Sequence, residues 1–225
     1  MCGIAGLALK DPALESNLGA MLSGMLTALS ERGPDSAGVA IYSHPSELAV
    51  TKDVGHAAHI CEKFAIPRAN GYQGVGHTRM ATESAVTKEH CHPFVPAGGV
   101  CVVHNGSFSN HATIRRELIR QGIGFDSDND SEVAARYIAL RLSHGDDLKN
   151  ALQAMAATMD GFYTLLVTTP TEFAVARDPI ACKPAVIAQT DRYVAMASEY
   201  RALADLPAVK DAKVFEPTGV HTWTL

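Results

Sequence analysis

The chain opens Met1-Cys2-Gly3-Ile4-Ala5-Gly6-Leu7-Ala8-Leu9, and an unbroken apolar run of this kind reads as a buried strand. Whatever fold forms must therefore take its first residues into a core, and the cysteine at position 2 goes with them. The run has no basic start and meets Lys10 and Asp11 at once, which argues against a secretory signal. No apolar segment precedes Cys2 to mark a lipid anchor, and no stretch of 18 apolar residues occurs to span a membrane. The cytoplasm is the expected location, with no membrane partner.

Beyond this strand the pattern changes period. Leu14, Leu18, Met21, Leu22, Met25, Leu26 and Leu29 recur at spacings of three and four, which predicts a helix with one core face, ended by Glu31-Arg32-Gly33-Pro34-Asp35-Ser36. Ala37–Tyr42 and Leu48–Lys52 read as a hairpin; Gly74–Arg79 and Val100–His104 are short strands. Asn110–Gln121, capped by Ser109 or Asn110, Val133–Leu142 and Leu148–Met159 read as helices. The last third is mostly strands: Phe162–Thr168, Phe173–Ala176, Ala185–Ile187, Tyr193–Ala197 and Val220–Trp223. Strands and helices come in groups rather than alternating, which predicts α+β packing in one domain, residues 1–225, rather than a parallel βαβ sheet. With 225 residues, 47% of them hydrophobic, the chain can bury a sizeable core. A net charge of −5 makes nucleic acid an unexpected partner. Five cysteines do not form the dense even set of a disulfide framework, so mostly free thiols, buried or partly so, are expected.

Cys2 taken alone is a small buried hydrophobe. Once Met1 is removed, however, it carries a free α-amine, a group that ordinarily titrates at about 7.7–8.0 and can take the proton of its own thiol. One residue then supplies nucleophile and base for attack on an amide carbonyl through an acyl thioester. Such a site needs oxyanion donors and groups to hold the substrate. Asn105 offers a side-chain N–H and Gly106 an unobstructed backbone N–H, although Asn-Gly alone is usually a turn. Arg79, at a strand end, can grip a carboxylate with two parallel hydrogen bonds, and Asp130, at a helix start, either caps that helix or holds an ammonium group. Together they match an α-amino acid with a side-chain amide, such as glutamine.

Eight segments extend the match: Met1-Cys2-Gly3-Ile4, Arg32-Gly33-Pro34-Asp35-Ser36, Gly76-His77-Thr78-Arg79, His92-Pro93-Phe94, His104-Asn105-Gly106, Asp130-Ser131-Glu132, Arg177-Asp178-Pro179 and Ala197-Ser198-Glu199. In this order they resemble the class II glutamine amidotransferase domain, an N-terminal nucleophile hydrolase. The resemblance implies a four-layer αββα sandwich of two antiparallel sheets. It also implies that Cys2 attacks glutamine to release ammonia and then glutamate, with Asn105 and Gly106 as oxyanion hole, Arg79 on the α-carboxylate, Asp130 on the α-ammonium, Thr82 beside the carboxylate site and Arg32 supporting the nucleophile. Met80, Glu83 and Ala181-Cys182-Lys183-Pro184 depart from the family pattern without removing any of these groups.

Members of this family are fused to or assembled with a synthase that consumes ammonia. The chain is expected to be a separate glutaminase subunit, similar through Lys10-Asp11-Pro12 and Arg32–Gly38 to those serving glutamate-synthase-like proteins, including N-methylglutamate synthase. No cofactor is then expected in this chain; FMN and iron–sulfur clusters belong to partner subunits. No metal is expected: His90-Cys91-His92 lacks zinc-ligand spacing, and Asp126–Asp130 lacks the Gly and Glu of a calcium loop and reads as a capping loop. Gly71, Gly74 and Gly76 form no dinucleotide fingerprint. The competing readings are an N-terminal cysteine acylase for another amide and a non-catalytic regulatory or assembly subunit that keeps the fold.

Overall fold

In a computed structural model the described residues are 1–81, 86–96 and 98–225. The opening apolar run forms β1 (Gly3–Leu9). The helix expected from Leu14 onward is divided: the Asp11 side chain accepts from the Ala13 N–H and Pro12 starts a 3-10 turn over Pro12–Asn17, so α1 is Leu18–Ala28. A second 3-10 turn, Ser30–Arg32, leads to the hairpin β2 (Ser36–His44) and β3 (Glu47–Val54). Next come α2 (Ala57–Lys63), too short to show a helical period, and β4 (Gln73–Arg79). β5 is Cys101–Phe108, longer than expected, so His104-Asn105-Gly106 lies inside a strand rather than in a turn after it. Three helices follow: α3 (His111–Arg120), α4 (Asp130–Ser143) and α5 (Leu148–Thr158). The remaining strands are β6 (Gly161–Thr169), β7 (Glu172–Arg177), β8 (Val186–Gln189), β9 (Tyr193–Ala197), β10 (Lys213–Phe215), which the sequence did not signal, and β11 (Gly219–Thr224). Among the described residues no helix is long and apolar enough to cross a membrane.

The strands form two sheets, ordered β10-β8-β9-β1-β4-β2-β3 and β11-β7-β6-β5, with every pairing antiparallel. Side-chain alternation stacks them. In β1, Ile4 and Ala8 pack between the sheets with Val75, Val103, Leu166 and Val175. Ala5, Leu7 and Leu9 instead face Leu18, Leu22 and Leu26 of α1. On the far side, Val102, Leu165 and Val167 cover Val133, Ile138, Leu152 and Met155 of α4 and α5. The result is helix, sheet, sheet, helix. β1 is covered on both faces, which is why its sequence is continuously apolar.

Polar groups stitch the two sheets together across this apolar layer. Tyr42 donates its hydroxyl to the Gly99 carbonyl at 2.6 Å, and Gln73 donates Nε2 to the Thr169 carbonyl at 2.8 Å. His77 Nε2 lies 2.9 Å from the His104 carbonyl oxygen. A carbonyl only accepts, so the His77 proton sits on Nε2. His77 stacks on His92 with ring centroids 3.9 Å apart. Burial pushes His77 down to about 3 and holds His92 well below the usual histidine range; burial also lowers His104, against the opposing field of Asp130. All three rings are therefore neutral in the folded protein at pH 7.

This arrangement fixes the sign of a pH effect. Below about 6.5 the unfolded histidines bind protons that the folded ones refuse, so stability falls as pH drops below about 6.5, by up to about 1.4 kcal/mol per pH unit for each ring, and for His77 the fall continues toward about 3. Urea unfolding should show a lower midpoint at pH 5 than at pH 7. His77→Gln should flatten the dependence; equal midpoints at the two pH values in the parent protein would refute this account.

Candidate active site

Cys2 immediately precedes β1, and its carbonyl is held from two directions. Arg32 donates Nε to it at 2.9 Å, and Asn105 donates Nδ2 at 3.2 Å. Arg32 reaches this position because Gly33 lies against the backbone of Thr78 and Arg79, where any Cβ would collide. Its Nη1 pairs with Glu199 beyond β9, which also meets Arg201. The Cys2 thiol lies 3.7 Å from the Met80 carbonyl, and the Met1 amine 2.8 Å from the Met80 sulfur.

β4 ends at Arg79, which is 4% exposed. The chain at Arg79 and Ala81 is tied back by Asp35, whose amide donates to the Arg79 carbonyl and whose carboxylate accepts from the Ala81 N–H. Thr82 and Glu83 lie outside the described residues. In β5, Gly106 has φ +154°, and a side chain there would strike the Phe162 carbonyl. No larger residue fits.

Asp130 is the first residue of α4 but not its cap. Asn129 performs that task, accepting from the Ser131 N–H at 2.9 Å, which leaves the Asp130 carboxylate for other partners. One oxygen accepts from the Phe108 N–H at 2.9 Å and the other from the Ser131 hydroxyl at 3.2 Å. In the same first turn of α4, Glu132 accepts from the Asp126 and Ser127 N–H groups and the Ser127 hydroxyl. Neither Asn110 nor Ser109 caps α3. The Asn110 side chain instead bonds the Thr158 carbonyl and the Asp160 N–H, and the Ser109 hydroxyl donates to the Asp160 carbonyl.

Cys2, Arg79, Gly106 and Asp130 line one cavity of about 350 Å³. Asn105 and Arg32 meet at its edge through the Cys2 carbonyl. The cavity thus carries a thiol, a guanidinium and a carboxylate, a combination complementary to an amino acid zwitterion with a reactive side chain. The sequence did not single out Ser107, His111 or Ser131 as lining residues. His111 donates Nδ1 to the Phe108 carbonyl at 2.6 Å, and nothing in its local sequence foretells that. Of the other cysteines, Cys61, Cys91 and Cys101 are buried, whereas Cys182 is exposed, contrary to expectation. Among the described residues no group of three or more His, Cys, Asp or Glu side chains is placed to hold a metal ion.

Residues 77–205 match the model of the glutamine amidotransferase domain family. The chain is 40% identical to the glutamine amidotransferase-like protein GlxB of Rhizobium meliloti (strain 1021), covering 99% of this chain and 98% of that relative. It is 37% identical to the glutamine–fructose-6-phosphate aminotransferase of Aeropyrum pernix over 73% of this chain, but only 26% of that longer protein. Among solved structures, the glutamine phosphoribosylpyrophosphate amidotransferase of B. subtilis superposes with a TM-score of 0.80 at 24% identity, covering 99% of this chain and 49% of that one. That likeness establishes a shared fold over nearly the whole chain. By its family match, its relatives and its fold, the chain belongs to the class II glutamine amidotransferases, enzymes that act on the glutamine side-chain amide.

Proposed function

We propose that this chain hydrolyses L-glutamine to glutamate and ammonia, with Cys2 as nucleophile, and hands the ammonia to a separate synthase subunit. The reading rests on one observation: Cys2, Arg79 and Asp130 share a single cavity. Removal of Met1 frees the Cys2 amine, which takes the thiol proton. The sulfur then attacks the amide carbon, a C–S bond forms, the C–N bond breaks, and ammonia leaves with the proton. Water cleaves the thioester to give glutamate and restore the thiol. Arg79 binds the α-carboxylate as a two-pronged donor and Asp130 the α-ammonium, with Thr82 beside the carboxylate. The Gly106 N–H and the second Asn105 side-chain N–H stabilise the oxyanion. An amide nitrogen carries two hydrogens, so the Asn105 bond to the Cys2 carbonyl leaves one available. Arg32 fixes the nucleophile through the same carbonyl.

The proposed acceptor is a glutamate-synthase-like or N-methylglutamate synthase chain in the cytoplasm, with FMN and iron–sulfur chemistry confined to that partner. A pull-down that recovers a flavin-containing synthase would support the assignment, and recovery of an unrelated ammonia-consuming enzyme would replace it.

Cys2→Ala should lower glutamine turnover by more than about a thousandfold while the protein stays folded. Normal turnover in a folded variant, measured with and without the synthase, would sink the mechanism. Intact mass should show that Met1 is missing from the active protein; a fully active population retaining Met1 rules out the α-amine as base. Arg79→Lys should raise the KM for glutamine by about ten- to a hundredfold, because a point charge cannot copy the guanidinium fork. An unchanged kcat/KM would remove Arg79 from the carboxylate site.

A further inference from the structure

Two buried polar side chains at the cavity wall, His104 and Ser131, form a chain to Asp130 that the proposed chemistry does not use. His104 Nδ1 lies 2.8 Å from the Ser131 hydroxyl oxygen, and that hydroxyl lies 3.2 Å from Asp130 Oδ1. His104 is 3% exposed and Ser131 2% exposed, so water does not compete for the contact between them. Their protons can be assigned. A hydroxyl has one hydrogen, and a carboxylate oxygen accepts, so the Ser131 hydrogen points to Asp130. The Ser131 oxygen must then accept, which places the His104 proton on Nδ1. Burial keeps the ring neutral. Its other nitrogen, Nε2, is buried without a hydrogen-bond partner and lies under Gly106. A neutral ring with one hydrogen can satisfy Ser131 from only one side, so this tautomer runs donor to acceptor in one direction: His104 to Ser131 to Asp130.

We infer that Ser131 is a positioning residue for glutamine recognition: polarised by His104, its hydroxyl fixes the Asp130 carboxylate in the rotamer that meets the substrate α-ammonium. The Phe108 N–H holds the other carboxylate oxygen, so the two donors together leave the group little freedom to turn. Hydrogen bonds in series strengthen one another in a buried site, and a bond to an ionised acceptor is among the stronger kinds. Ser131 touches no reacting atom; its effect passes through Asp130. The inference rests on the reading of Asp130 as the ammonium binder.

The test is steady-state glutaminase kinetics of the full chain with its synthase, using Ser131→Ala, Ser131→Thr, Asp130→Asn and the Ser131→Ala/Asp130→Asn double variant. Ser131→Ala should raise the KM for glutamine about tenfold, equivalent to about 1.4 kcal/mol, with kcat within about threefold. Ser131→Thr, which keeps the hydroxyl, should restore most of the loss. The double variant should have the kcat/KM of Asp130→Asn alone, because Ser131 has nothing left to position. If Asp130→Asn leaves KM unchanged, Asp130 is not the ammonium binder and the underlying reading falls. If Asp130→Asn raises KM but Ser131→Ala does not, or if the two losses add in full, that reading stands and the positioning role is overturned.

Discussion

The two hydrogen bonds on the Cys2 carbonyl join parts of the chain that are otherwise far apart. One comes from Arg32, in the turn after α1, and the other from Asn105, in the second sheet. An apolar layer between sheets is non-directional and tolerates sliding; a carbonyl with two fixed donors does not. These bonds set where the start of β1 lies relative to β5, and so place Cys2 in the same cavity as Gly106. Arg32 is itself fixed, by Glu199 on one side and the close approach of Gly33 to β4 on the other.

Around this junction the interior is polar, although it lies between two sheets. Burying polar groups there is tolerable only where each finds a partner or gives up its charge. His77, His92 and His104 give up theirs: burial holds each neutral, His77 and His92 stack on each other, His92 meets Phe94 edge-on and His104 stacks on Phe108. A neutral histidine has one donor and one acceptor, so it can fix direction in a hydrogen-bonded chain. His77 does so toward the His104 backbone, and His104 toward Ser131 and then Asp130. Charge at the cavity is left to Arg79, Asp128 and Asp130.

Much of the fold was legible because the burial pattern repeats at short range. The continuous apolar runs of β1 and β9, and the three-and-four spacing of Leu18, Leu22 and Leu26, need only neighbours in sequence. α2 and β10 were not legible, since seven and three residues are too few to show a period. The helix predicted from Leu14 was too long because side-chain spacing does not distinguish a 3-10 turn from the first turn of an α-helix. Asn-Gly suggested a turn after β5, but pairing with β6 carries the strand through it to Phe108. Asp130 invited a capping role that Asn129, one residue earlier, fills.

The sequence alone determined the kinds of groups available: a cysteine at position 2, an arginine and an aspartate at element ends, and an Asn-Gly pair. It also carried the family's ordered motifs from Cys2 to Glu199. Only the tertiary structure decided which of those groups share a cavity, that Asn105 first serves the Cys2 carbonyl, and that Ser131 and His104 stand behind Asp130. The reason is physical: the bonds from Asn105 to Cys2, from Phe108 to Asp130 and between His104 and Ser131 link residues 22 to 103 positions apart, and their geometry is set by the packing of one sheet on the other and of α4 on β5, which no local pattern encodes.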